Sequence, residues 1–322
     1  MNWKDVNVLV TGADGFVGSW VARALIEKGA NVSTIVRDIK KSSNLDAIGI
    51  RNKINLVNGD LTNFEICQRV MNEYETEICF HIAAQAIVTT ANTSPLSTFE
   101  SNIKGTWNIL ESARQSRFIR GLVVASSDKA YGVQKNLPYT EESPLLGIFP
   151  YDASKACADI LARSYFKTYQ LPVAVTRNAN TYGGGDLNFG RLIPDTIRSL
   201  LENKQPLIRS DGTPERDYMY IKDAVSAYLT LAENLSRKEV MGEAFNFGTG
   251  KPISVLDLYK KIIKSMGKSI KPKILGTAVN EIDRQYLSIN KAKRILNWEP
   301  KYSLEQGLKE TIKWYERFLK LK

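Results

Sequence analysis

Short apolar runs and helical repeats alternate through the first half of the chain. "NVLVTG" is a run of Val and Leu closed by Gly12. "FVGSWVARALIEKG" follows it, with Phe16, Val17, Val21, Leu25 and Ile26 at helical spacing until Gly29 stops the repeat. "NVSTIVR", "INLVNGD" and "ICFHIAA" read as three further strands. After a helix near "NIKGTWNILESAR" comes "GLVVASS", and after a helix over residues 151–169 comes "PVAVTRN". Strands alternating with helices in this way predict an α/β fold built on a parallel, doubly wound sheet.

The second half reads differently. "GGGDLNFG" is a glycine-rich loop, "RLIPDTIRSLLENK" a helix and "GEAFNFGTG" a strand. "SVLDLYKKIIKSMG", "INKAKRILNW" and "SLEQGLKETIKWYERFLK" have the helical repeat. The division expected is a sheet domain over 1–178 and a smaller, helix-rich domain over 179–322, with segments near 217–250 returning to the first sheet. The chain shows no internal repeat and no low-complexity segment.

Composition narrows the function classes. With 322 residues, 43% hydrophobic and 24% charged, the chain has ample material for a core. No stretch approaches the ~18 apolar residues of a membrane span, and "MNWKDVNVLVTG" runs straight into a strand, so a cytoplasmic protein without a membrane partner is expected. The formal charge is +10, but the basic residues are scattered and densest over 260–273, with no nucleic-acid motif beside them. That balance suits a small anionic substrate instead. Cys67, Cys79 and Cys157 are widely spaced, form no metal or redox pattern and read as core residues. His81 is the single histidine, which excludes a histidine-based triad or a histidine-rich metal site, and it reads as packed at a strand end. No metal is expected, and acid–base chemistry falls to Tyr, Lys, Asp, Glu or Ser.

"TGADGFVG" places Gly12, Gly15 and Gly18 between a strand and a helix, with Phe16 and Val17 inside the turn. There the glycines permit a tight turn and let the backbone approach a pyrophosphate at the positive helix end, so a Rossmann-like dinucleotide site is predicted. At the end of the second strand Arg37 suits the 2′-phosphate of NADP and Asp38 the ribose 2′-hydroxyl of NAD, so both cofactors remain open. Asp60 and Leu61 in "GDL", with Ala83 and Ala84 in "HIAAQ", are expected along the same cofactor. "YDASK" sets Tyr151 and Lys155 four apart, on one helix face. An ammonium beside a phenol favours the phenolate, so Tyr151 is expected to act as a base near neutrality. "SSDKAYG" adds Ser127, Asp128 and Lys129 at the end of an apparently buried strand.

The three-and-three glycine spacing, with Ser127, Tyr151 and Lys155, resembles the short-chain dehydrogenase/reductase superfamily. "TGADGFVG", "GDL", "HIAAQ", "NIKGTWNILESA", "PYDASK", "RDYMYIKDA" and "INKAKRILNWEP" are similar to its extended branch, the nucleotide-sugar epimerases and dehydratases, over nearly the whole chain. The resemblance implies a retained NAD or NADP and oxidation at C4 of a nucleotide-diphosphate hexose. It implies substrate contacts from Gln85, Thr89, Asn102, Asn180, Arg191, Arg216 and Arg284, with Asn102 close to the cofactor and catalytic region. It also implies a homodimer paired through the helices near 102–115 and 151–169. Epimerases of that family carry small, inert residues after the catalytic Ser or Thr, whereas 4,6-dehydratases carry an acid, the position Asp128 takes. Lys129 departs from the usual Glu there, as either a C5 base or an electrostatic stabiliser. "SDK" and "HIAAQAIV" resemble CDP-glucose 4,6-dehydratases, and "IVR" resembles GDP-mannose 4,6-dehydratases. The expected activity is an NDP-hexose 4,6-dehydratase. A nucleotide-sugar 4-epimerase and, more remotely, a non-catalytic dinucleotide-binding regulator are the alternatives.

Overall fold

Seven of the chain's strands join in one parallel sheet in the computed structural model, which describes residues 1–38, 43–277 and 282–320. Across the sheet the order is Ala244–Phe247, Val173–Asn178, Gly121–Ser127, Ile78–His81, Asn7–Thr11, Asn31–Val36 and Asn55–Asn58. Every neighbouring pair is parallel. The winding reverses between Asn7–Thr11 and Ile78–His81, and at such a switch point the crevice beyond the carboxyl ends of the strands is where ligands bind.

Alternate residues of these strands feed two cores. Val8, Val10, Phe80 and Val123 pack on one face with Val21, Leu25, Ala224 and Leu231. Leu9, Cys79, Leu122 and Val124 pack on the other with Met71, Ile109, Leu110 and Ala162. Each Val, Leu, Ile, Phe or Met among them contributes about 1.5–3 kcal/mol on burial, and a strand buried on both faces has no polar side, which explains the continuous apolar runs. The helix Phe16–Glu27 lies against the helix Ile221–Glu233 on one side. Phe64–Glu73, Gly105–Gln115 and Pro150–Tyr169 cover the other.

The helix expected near residue 102 begins earlier. Pro95 opens a first turn, Pro95–Phe99, and a wider π-helical turn, Glu100–Lys104, leads into Gly105–Gln115. Cys67 and Cys79 are core residues, whereas Cys157 is only half-buried, so the core reading fails for it. His81 is buried between the Thr11 and Thr106 hydroxyls, 2.9 Å from each, and burial pushes its pKa down to about 3, with the Lys155 charge adding to the effect. It is a neutral packing residue. Among the described residues no helix is long and apolar enough to cross a membrane.

Three small sheets lie beyond the main one among the described residues, and one of them pairs Leu207–Ile208 with Lys273–Ile274. Asn180–Tyr182 pairs with Tyr218–Tyr220, and Glu215–Arg216 lies between Ile253–Ser254 and Arg284–Gln285.

Candidate active site

Two adjoining cavities open at the carboxyl edge of the sheet, of about 370 and 750 Å³. The glycine turn forms the floor of the smaller one. Gly12 has φ +73°, and a Cβ there would lie 2.7 Å from the Ala83 Cα. A Cβ on Gly18 would lie 2.1 Å from the Gly12 carbonyl oxygen. No side chain caps Gly15, so the helix that begins at Phe16 presents its first amides to the cavity. Val17, Leu61, Ala83 and Ala84 complete the apolar wall. Asp60 also lines it, its carboxylate accepting from the Thr62 amide at 2.8 Å. Arg37 and Asp38 lie at the rim, both about three-fifths exposed, and pair with each other at 3.2 Å. A narrow cradle with free amides at one end and charged groups at the other fits a dinucleotide diphosphate.

The larger cavity gathers the polar cluster. Ser127, Asp128, Lys129, Tyr151 and Lys155 all line it. Ser127 ends its strand, and Asp128–Tyr131 make a single tight turn. The Ser127 hydroxyl donates to Asp128 Oδ1 at 3.0 Å and accepts from the Lys129 amide at 3.2 Å. Lys129 Nζ donates to Asp128 Oδ2 at 3.1 Å and also to Gln285 Oε1. The lysine is only 19% exposed, so it is no freely solvated loop charge.

Tyr151 and Lys155 both line the larger cavity from one helix. Lys155 Nζ donates to the Ala125 carbonyl at 2.8 Å, and burial pulls its pKa down to about 8. Burial pushes the Tyr151 phenol up to about 12, against the opposing pull of the Ser127 hydroxyl and with the Asp128 charge adding to the rise.

The outer residues separate into those on the wall and those behind it. Asn180, Arg191, Arg216 and Thr89 line the larger cavity, while Gln85 lines the smaller. Arg191 borders both, held at 3.0 Å by the carboxylate of Asp186, which is 3% exposed. Asn102 lines neither cavity. Its Oδ1 accepts from the Gln85 amide at 2.7 Å, and its Nδ2 donates to the Gln85 carbonyl at 3.2 Å and to Ser154 Oγ at 2.9 Å. Both ends of the amide are committed, so Asn102 braces the wall instead of meeting substrate. Arg284 is also outside both cavities: it pairs with Glu215 at 2.6 Å and lies over the Tyr286 ring. Sequence reasoning missed Asp186, Tyr228 and Gln285. Asp186 stands five residues before Arg191 in the glycine-rich loop, a spacing that could have marked it. Tyr228 comes from a helix the motifs did not cover, and its hydroxyl accepts from Asn178 Nδ2 at 3.0 Å.

Residues 9–311 match the family model described as GDP-mannose 4,6 dehydratase. CDP-glucose 4,6-dehydratase of Salmonella typhimurium is 29% identical, across 99% of this chain and 92% of that protein. The structure of dTDP-glucose 4,6-dehydratase from Bacillus anthracis in complex with NAD superposes with a TM-score of 0.85 at 32% identity, covering 97% of each chain. UDP-glucose 4-epimerase from Thermotoga maritima, solved with UDP-glucose, superposes with a TM-score of 0.90 at 29% identity, covering 98% of this chain and 100% of that one.

Proposed function

This chain belongs to the GDP-mannose 4,6 dehydratase family, and we propose that within it the protein is an NDP-hexose 4,6-dehydratase. The observation that carries the reading is the Asp128–Lys129 pair beside Ser127 and Tyr151 on the wall of the larger cavity. Oxidation at C4 needs only a proton acceptor for the hydroxyl. Loss of water across C5 and C6 needs, in addition, a proton for the departing C6 hydroxyl, and this cluster supplies an ionisable pair for it.

The glycine turn, Asp60 and the Arg37–Asp38 rim would hold NAD, the cofactor bound in the Bacillus anthracis relative. Bound NAD would supply the hydride acceptor for C4 oxidation and the hydride that returns to C6. Tyr151 takes the C4 hydroxyl proton, with the Ser127 hydroxyl alongside to orient the sugar. The phenol at about 12 is far from ionised at neutral pH, so its activation requires positive charge brought in with the ligands. The C5 proton passes to water while Lys129, an ammonium 3.1 Å from Asp128, stabilises the enolate. A proton of the pair then passes through Asp128 to the C6 hydroxyl, which departs as water. Arg191 and Arg216 present guanidinium groups to the diphosphate. Asn180 contributes a neutral amide to the same wall, and Thr89 a hydroxyl.

A nucleotide-sugar 4-epimerase is the second reading, supported by the likeness to the Thermotoga maritima structure. It shares the first step and leaves the Asp128–Lys129 pair without a role. Mass spectrometry of products from CDP-, GDP-, UDP- and dTDP-hexoses separates the two. The expected product is lighter by one water, and Tyr151→Phe should lose about 10²–10⁴-fold in turnover while still binding nucleotide sugar. An isomeric product inverted at C4 would overturn the dehydratase reading in favour of the epimerase.

A further inference from the structure

Gln285 is fully buried in the two-residue strand Arg284–Gln285, 156 positions from Lys129 in the chain. Its Nε2 donates to the Asp128 carbonyl at 3.0 Å, and its Oε1 accepts from Lys129 Nζ. These two bonds fix the orientation of the amide. Turned over, it would set its NH₂ against an ammonium and its oxygen against a carbonyl oxygen. An ammonium carries three N–H donors. Two are used, on Asp128 Oδ2 and Gln285 Oε1, which leaves one for the cavity that Lys129 lines.

The backbone of Gln285 is anchored from two sides. It is in register with Arg216, itself on the cavity wall, while the Arg284–Glu215 ion pair at 2.6 Å secures the neighbouring step of the same ladder. On the other side Tyr139 donates to the Tyr286 carbonyl at 3.1 Å and accepts from the Ser288 amide at 2.8 Å. The amide is therefore held by rigid structure before it reaches the lysine.

We propose that Gln285 is a positioning residue for the elimination half of the reaction, clamping the Lys129 ammonium beside Asp128 so that its remaining N–H serves the cavity. The assignment rests on the dehydratase reading above. It also couples the two halves of the site, since the strand that carries Gln285 is paired with the strand that carries the phosphate-facing Arg216. Lys129 acts in this assignment as an ammonium, stabilising the enolate that forms as the C5 proton leaves.

The test compares the full-length enzyme with Gln285→Met, Gln285→Glu, Lys129→Met and the Gln285→Met/Lys129→Met double variant. Four quantities are read: melting temperature, steady-state kinetics, transient reduction of the nicotinamide, and solvent-deuterium incorporation at C5. Gln285→Met should slow C5 exchange and water loss by about 10²-fold, the scale of a misplaced catalytic group. Its KM should stay within about threefold of the parent, and nicotinamide reduction should persist. The loss should vanish in the Lys129→Met background, because one variant acts through the other. Gln285→Glu keeps an acceptor for Nζ but sets an oxygen against the Asp128 carbonyl, so it should recover only part of the exchange rate lost in Gln285→Met, which a purely structural role would not predict. Additive losses in the double variant, or equal loss of C4 oxidation and C5 exchange, would overturn the assignment. If Gln285→Met does not fold, Gln285→Glu decides alone: equal loss of nicotinamide reduction and C5 exchange overturns the clamp, and a loss confined to C5 exchange and smaller than that of Lys129→Met upholds it. A parent enzyme that inverts C4 and expels no water removes the dehydratase reading itself, before any variant is compared.

Discussion

Asp152 shows how much one side chain's surroundings decide. It follows Tyr151 in the first turn of the helix Pro150–Tyr169 and is 5% exposed. Burial raises its pKa from 3.8 to about 6, with Lys129 opposing the rise and the Asp128 charge adding to it. A carboxyl whose pKa is higher folded than unfolded contributes stability below the unfolded value and loses it as pH rises through the folded one. The window here runs from about pH 4 to about pH 6. Asp152→Asn removes the ionisation and should make the protein more stable than the parent at pH 7.5, by on the order of 1–3 kcal/mol. The difference should close toward pH 4, as measured by urea unfolding at both pH values. A constant difference across that range would show that Asp152 is not held in the way its burial requires.

At the scale of elements, the glycine turn and the helix that carries Tyr151 and Lys155 were both legible in the sequence. A strand, a turn of three glycines and a helix are contiguous, and their geometry follows from local sterics. The four-residue spacing of Tyr151 and Lys155 fixes their common face because helical periodicity is local too. The direction of the Lys155 ammonium was not legible, since its partner is the Ala125 carbonyl of another strand. The turn gives a direct prediction. Gly18→Ala forces a Cβ to within 2.1 Å of the Gly12 carbonyl, so the loop or the helix must move. Overpacking of this kind costs about 1–3 kcal/mol, and the displaced amides should no longer hold the diphosphate. The purified variant should carry little nicotinamide cofactor on extraction, and full occupancy would contradict the role given to the turn.

For the whole molecule, the face made by Pro95–Gln115 and Pro150–Tyr169 carries uncovered apolar side chains. Leu96 is 72% exposed, Ile160 56% and Trp107 43%, on helices whose opposite sides already pack on the sheet. Apolar side chains concentrated on neighbouring helices mark an association surface, and we propose that a second copy of the chain covers it as a four-helix pairing. Light scattering at micromolar concentration should give twice 36.1 kDa. Ile160→Glu should shift the protein toward monomer and lower its melting temperature. A monomeric parent would contradict the pairing.

By itself the sequence determined the parallel sheet, the glycine turn, the common helix face of Tyr151 and Lys155 and the unusual Asp128–Lys129 step, because each is written in neighbouring or periodically spaced residues. Only the tertiary structure decided which of the outer residues touch the cavity. Asn102 has both ends of its amide committed to Gln85 and Ser154, and Arg284 pairs with Glu215 outside both cavities, partners that no spacing reveals. Gln285 reaches the Asp128–Lys129 turn across 156 residues, since a hydrogen bond depends on distance in space and is indifferent to distance along the chain.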